Sequence, residues 1–332
     1  MFSFLSAIFS LALSWHDRNA SVITYGIIVG TLGTEFLYTV EYDDAEKTLT
    51  LVSQSALSTA SSWISLNVNL VRYDIADPYN IKVEARIVGG GMCSDSRSIF
   101  VNAHQKKTYP VYDNYYYGDA RCSTILSVHE NGMLKEVIQK YMYRPRTHKI
   151  DEATGILSNV SVVAGPSPGS GPRHLVIHRN GNYAYVVLEE SGEVTQYIVE
   201  EAEDSTSRRR HLLAASRRTG SHRLLGRRSL AVAGEPLSLG DESGARQQPQ
   251  GVLSVFELSA AGEIANQLFL FETNTSGGFA NSVAASSFDD SIAALTDNST
   301  GFVEIWRVDH SVIAHLDIPD GQGCCASAVW LD

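Results

Sequence analysis

Hydrophobic and polar positions alternate in short runs, separated by turn residues, over much of this chain. The segment Gly171 to Glu200, GPRHLVIHRNGNYAYVVLEESGEVTQYIVE, carries the pattern in full. His174 to His178 alternates around apolar residues, Asn180-Gly181 signals a tight hairpin, and Tyr183 to Leu188 is a β-branched and aromatic run. A second turn at Ser191-Gly192 leads into Val194 to Val199, so three short antiparallel strands follow one another. The same strand-and-turn unit recurs at Ser123 to His129 with Glu130-Asn131-Gly132, and at Val252 to Leu258 with Ala261-Gly262. It recurs again at Ser291 to Thr296, turning through Gly301 into Phe302 to Val308, and Ala326 to Leu331 reads as a closing strand that completes the first sheet. Meanders of this kind must bury one face and protect their edges, and sheets packed radially around a channel do both. The pattern therefore predicts an all-β protein, a β-propeller. Pro172 leads from an inner loop into a strand, and Arg173, His174 and Glu189 stand at inner-strand ends, where blades converge.

Length fits this architecture. The chain has 332 residues, 44% of them hydrophobic, with 15 Tyr and few helix-like periodic stretches. At roughly 40–50 residues per four-stranded blade, six or seven blades is the ceiling. The first 14 residues, MFSFLSAIFSLALS, form an apolar run with small residues at Ala12 and Ser14, the pattern of a secretory signal. It is too short to span a membrane easily. Because the run has no Lys or Arg ahead of it, a buried first strand in a cytoplasmic protein is the alternative. Sequons at Asn19, Asn159, Asn274 and Asn298 are compatible with glycosylation. Cys93 and Cys122 could form a disulfide in an oxidising compartment, whereas the adjacent Cys324 and Cys325 are expected to pack as small buried side chains without bonding to each other.

Charge divides the chain unevenly. Eight arginines and no acid lie between Ser207 and Arg228, and setting them aside takes the formal net charge from −11 to −19. A body that acidic disfavours nucleic-acid binding. The expected organisation is a signal peptide at 1–14, a first propeller part at 15–203, an Arg-rich disordered insertion at 204–250 and a last propeller part at 251–332. A polybasic partner site or dibasic processing site is the sharper reading of the insertion. No GxGxxG, P-loop, GxSxG or HExxH motif occurs, and no Cys/His spacing suits zinc. Gly89-Gly90-Gly91 is a turn cluster.

GPRHLVIHRNGNYAYVVLEESGEV resembles the lactonase family of seven-bladed propellers, which includes 6-phosphogluconolactonase and 3-carboxy-cis,cis-muconate cyclase. Segments at 109–118, 127–143, 266–270, 275–283, 301–306 and 326–332 are similar to the cyclase branch, whose members include secreted cell-surface glycoproteins. The resemblance implies a seven-bladed lactonase-type propeller that closes a muconate onto its own carboxylate to give a lactone, with no metal or organic cofactor. Its partner is a small carboxylate or lactone substrate, with no nucleic acid and no stable membrane span. A 6-phosphogluconolactonase-like hydrolase and a non-catalytic secreted glycoprotein are the alternatives. Arg173 matches the arginine of the GPR motif and Glu189 the acid after the following strand, while His174 has counterparts among the lactonases. An arginine fork suits bidentate carboxylate binding, and a neighbouring Glu suits proton transfer or holding the arginine. A structural ion pair is the other reading of Arg173 and Glu189.

Departures from the family pattern are equally specific. The resemblance implies an HGM-type segment carrying the proton-donating histidine after a YxYRPxT-like stretch, followed by about one blade of sequence. Here Tyr141-Met142-Tyr143-Arg144-Pro145-Arg146-Thr147 runs straight into His148-Lys149-Ile150-Asp151, which resembles a later outer strand. A similar jump falls at Asn69 to Arg72. A third lies between Glu203 and Gly251, where a substrate-binding arginine is due and the Arg-rich stretch stands instead. The expectation is a propeller with incomplete blades. His129 and His148 lie outside the motif and take no role.

Overall fold

A computed structural model describes residues 23–57, 61, 71–74, 77–86, 97–103, 111–117, 122–129, 134–142, 146–151, 154, 156–162, 172–178, 180–188, 193–204, 207–219, 229–234, 252–273, 275, 282–309, 311–321 and 323–331. The expected signal peptide at 1–14, Asn19, Asn274, Cys93, the glycine cluster and Glu189 lie outside them.

Among the described residues the chain forms strands in seven successive antiparallel sheets. The first holds β1 (Thr24–Gly30), β2 (Phe36–Asp43) and β3 (Thr48–Ala56), and the second holds β4 (Val71–Asp74) and β5 (Lys82–Arg86). The third holds β6 (Arg97–Ala103), β7 (Val111–Tyr117), β8 (Cys122–Val128) and β9 (Leu134–Met142), and the fourth holds β10 (Arg146–Ile150) and β11 (Leu157–Val162). The fifth comprises β12 (Pro172–Ile177), β13 (Tyr183–Leu188), β14 (Glu193–Asp204) and β15 (Ser207–Thr219), and the sixth β16 (Ser229–Gly234), β17 (Val252–Leu258) and β18 (Ile264–Glu272). The seventh comprises β19 (Val283–Ala285), β20 (Ile292–Asp297), β21 (Phe302–Arg307) and β22 (Val312–Asp317). The last strand, β23 (Ser327–Leu331), returns to pair with β1, from Gly26 opposite Leu331 to Gly30 opposite Ser327. The terminal strand therefore completes the first sheet, as its pattern predicts.

Packing explains why the strands sort this way. Ile27, Ile28 and Val29 are buried in one unbroken apolar run, because β1 is covered on both faces. Side chains of the first sheet (Ile27, Tyr38, Val40, Tyr42, Trp330) interleave with Ile292, Val303 and Ile305 of the seventh in one continuous core. The Trp330 indole N–H donates to the Ala284 carbonyl over 2.8 Å, and Ala328 N–H donates to Ser282 Oγ over 3.1 Å. These bonds hold β23 beside β19, so the first strands of adjoining sheets meet along an inner edge, while β3 and β22 adjoin along the outer one. The fifth and sixth sheets pack in the same manner through Tyr185, Val187 and Val194 against Phe256, Leu258 and Ile264. The Tyr185 hydroxyl donates to the Gly262 carbonyl, and Ile264 N–H donates to Gln196 Oε1 over 2.6 Å. At Gly262, φ is +92° and the His178 ring fills the space a Cβ would need, which makes glycine obligatory there.

Two sheets hold only two strands among the described residues, and they fall at two of the sequence jumps. Only residues 143–145 separate β9 from β10, which is too short for two inner strands to intervene. β10 instead adjoins β15, the outermost strand of the next sheet, so the β10 and β11 pair occupies the rim. In the segment 204–250, β15 runs antiparallel along all of β14, with Arg208 opposite Glu203 and Arg210 opposite Glu201.

The expectation for Cys324 and Cys325 is half corrected. Both are fully buried, as small apolar residues would be, yet they are joined to each other by a disulfide. Cys325 adopts a left-handed φ of +65°, rare outside glycine, which turns the chain so that the two side chains meet.

Candidate functional site

In an antiparallel sheet of this order, the start of the first strand, the end of the second and the loop to the third lie at the same end. The fifth sheet puts Arg173 at that end. Pro172 pairs with Leu188 and His174 with Val187, and the register shifts between Pro172 and His174, so Arg173 is the extra residue of a β-bulge at the start of the inner strand. Bulges re-aim a side chain and loosen pairing, and they recur beside binding sites. Glu189 directly follows Leu188 in sequence; it lies outside the described residues, so its pairing with Arg173 rests on the sequence motif. His174 is in the ladder on β12, one residue further along. His178 is at the opposite end of β12, where its ring meets Tyr185 edge-on at 6.5 Å.

The first and seventh sheets show what this end of the ring is made of. Asp297, at the end of β20, is buried and accepts from Ser299 Oγ and Thr300 N–H over 2.8 Å each, and from the Thr275 hydroxyl. Its neighbour Asn298 is only 6% exposed, and its amide donates to the Cys324 carbonyl over 2.8 Å. Leu188 pairs with Glu193 as Asp297 pairs with Phe302, so Asn298 follows β20 in sequence as Glu189 follows β13. Burial of Asn298 removes its sequon from the acceptors available on the folded surface. Neither Asn298 nor the cysteine pair carries a sequence signal for this role, because each acts through a loop from another sheet.

A second polar group lies at the outer rim. Glu304 on β21, 4% exposed, accepts from the Trp306 indole N–H over 2.8 Å and meets His315 Nδ1 at 3.0 Å, while His315 Nε2 reaches Asp317 at 3.1 Å. Burial alone would lower the His315 pKa, but hydrogen bonds to Glu304 and Asp317 and the charges of both outweigh it, and the net shift is upward. On β21 and β22 this group is remote from the inner-strand ends. A cleft of about 550 Å³ between β3 and the turn leading into β5, lined by Gln54, Ser55, Tyr79, Asn80 and Lys82, is also distant from Arg173. Among the described residues no group of three or more His, Cys, Asp or Glu is arranged to hold a metal ion, and no helix is long and apolar enough to cross a membrane.

Comparison with known proteins bears on this ring directly. Residues 144–224 match the family described as Lactonase, 7-bladed beta-propeller, a span that contains Arg173, His174 and Glu189. A solved structure from Lactobacillus plantarum superposes with a TM-score of 0.67 at 15% identity, covering 93% of this chain and all of that one. The chain has a β-propeller fold similar to that of the lactonase family. A second solved propeller, a putative 6-phosphogluconolactonase from Bacteroides fragilis, superposes with a TM-score of 0.63 at 12% identity, covering 95% of this chain and all of the other. Carboxy-cis,cis-muconate cyclase of Neurospora crassa is 25% identical over 352 residues, using 89% of this chain and 96% of the relative. That alignment is longer than the whole 332-residue chain, so the relative carries stretches with no counterpart here, in accord with the two-stranded sheets.

Proposed function

We propose that this propeller acts on a small carboxylate or lactone at the inner-strand end of the ring, in the manner of a carboxymuconate cyclase. The observation that carries the reading is the similarity to the Neurospora crassa cyclase across nearly its full length. In this reading the Arg173 guanidinium grips a substrate carboxylate with two parallel N–H donors, fixing the muconate so that its other carboxylate can close onto the diene. Glu189 holds Arg173 in place or moves the proton that ring closure requires. His174, next along the strand, is the secondary candidate for proton handling. No step calls for a metal or organic cofactor.

The test is direct. Purified protein mixed with 3-carboxy-cis,cis-muconate should bleach the conjugated-diene absorbance, and the Arg173→Ala variant should not. Unchanged absorbance, together with no hydrolysis of gluconolactones, would end the enzymatic reading.

A second reading is favoured by one observation: β10 follows β9 after three residues, where the family's histidine-bearing strands are due. In it the chain is a secreted, glycosylated propeller without catalysis. Culture supernatant containing protein whose N-terminus lies near Trp15, with glycan mass at Asn159 or Asn274, would support this reading, and protein confined to the cell would reject it.

A further inference from the structure

The loop from β22 into β23 is the joint where the ring closes, and it is fastened from three sides. The Gly323 carbonyl accepts from Leu32 N–H and Gly33 N–H over 3.0 and 2.9 Å, both on the loop between β1 and β2. The Asn298 amide grips the Cys324 carbonyl from the loop between β20 and β21, and Ala326 N–H donates to the Gly30 carbonyl over 2.8 Å, the first rung beside β1. Contact is so close that a Cβ on Gly33 would lie 2.8 Å from the Gly323 Cα. In the middle of this joint is the buried Cys324–Cys325 bridge.

We infer that the Cys324–Cys325 disulfide is a redox-operated lock on ring closure. While it is intact, the ring formed by the two adjacent residues holds Cys325 at its left-handed φ of +65°, and this conformation delivers Ala326 to Gly30 in register. Reduction removes that covalent restraint, and a non-glycine residue at positive φ then relaxes toward the ordinary region. Relaxation draws 323–326 out from between the two loops and frees the leading end of β23. The chemistry is thiol–disulfide exchange with a dithiol. One thiolate of the reductant attacks a cysteine sulfur, forming a mixed disulfide and releasing the other cysteine; the second thiolate then closes the reductant's own disulfide. Cys324 and Cys325 gain two electrons and two protons and leave as thiols. Because both sulfurs are buried, attack requires the loop to open first, so reduction and loosening of the joint promote each other.

Hydrogen exchange on the full chain, with and without dithiothreitol, tests the lock. Alkylation and peptide mass before reduction should find no free thiol at 324 or 325. After reduction, amides of β23 and β1 should exchange roughly tenfold faster or more, the scale set by relief of one strained residue, while those of β17 and β18 keep their rates. The Cys324→Ala/Cys325→Ala double variant should exchange fast in β23 with or without dithiothreitol. Asn298→Ala, which keeps both cysteines, should speed their reduction severalfold, and this arm stands even if the double variant fails to fold. Free thiols at 324 and 325 in untreated protein, equal β23 exchange in both redox states, or dithiothreitol-accelerated exchange in the double variant would each overturn the inference.

Discussion

Arg173 occupies a β-bulge, and this separates its two readings experimentally. A carboxylate-binding arginine gives Arg173→Ala a loss of about 10- to 100-fold in kcat/KM, the range of one charged hydrogen-bonding site, with Arg173→Lys between the two because an ammonium cannot form the paired fork. A structural ion pair instead predicts a lowered unfolding midpoint and unchanged kinetics in the molecules that remain folded. His315 supports a different prediction. Its folded-state pKa is raised, so its stabilising contribution is complete below the ordinary histidine value of about 6.5 and is lost as pH climbs through the higher folded value. Its side chain is 42% exposed and solvent screens the pair, so the effect should stay below about 1 kcal/mol. Urea unfolding between pH 5.5 and 8.5 should show this loss in the parent and a flatter profile in His315→Gln; identical slopes would remove the charged pair from the account.

At the scale of elements, the closing strand is where single substitutions should cost most. Trp330 is buried, donates to Ala284 and packs edge-on against Tyr42 and Phe288, at 6.1 and 5.2 Å. Trp330→Ala should destabilise by about 3–5 kcal/mol, and Trp330→Phe by about 1–2 kcal/mol, since most of the packing survives and the hydrogen bond does not. Gly301→Ala tests the neighbouring turn: φ is +91° there and a Cβ would fall 2.0 Å from the Gly321 carbonyl oxygen. A loss of at least about 1–3 kcal/mol is expected, read as a shift in the denaturant midpoint. β12 to β14 of the fifth sheet and β20 and β21 of the seventh were legible in sequence because tight turns punctuate β-branched runs there, and β13 falls at the predicted residues, whereas β15 lies in the stretch read as an insertion. β1 carries no such punctuation, and its unbroken apolar core, Ile27 to Val29, has no period to separate strand from helix. Arg173 was legible through a local motif. Asn298 and the cysteine bridge were not, because their meaning comes from loops that the ring alone brings together.

For the whole molecule, the decisive question is what belongs between the third and fifth sheets. The ring is closed by β23, so its circumference is set, and the fourth position is served at the rim by β10 and β11. On the inner strand of the fifth sheet, Leu175 and Ile177 are 43% and 52% exposed. Two inner strands in the fourth sheet would cover them, and covering both fully would add about 1 kcal/mol or more. In the proposed cyclase reading, the same two strands would bear the proton-donating histidine that the resemblance implies, which ties stability and activity to one segment. Sequencing of genomic DNA and full-length transcripts across the codons for residues 142–146 should reveal an in-frame segment encoding a strand pair with a histidine. The longer product should unfold at higher denaturant concentration and turn over muconate faster than the 332-residue chain. If those codons are contiguous in the genome, the loss is a property of the protein itself, and the non-catalytic reading then gains the weight that the cyclase reading loses.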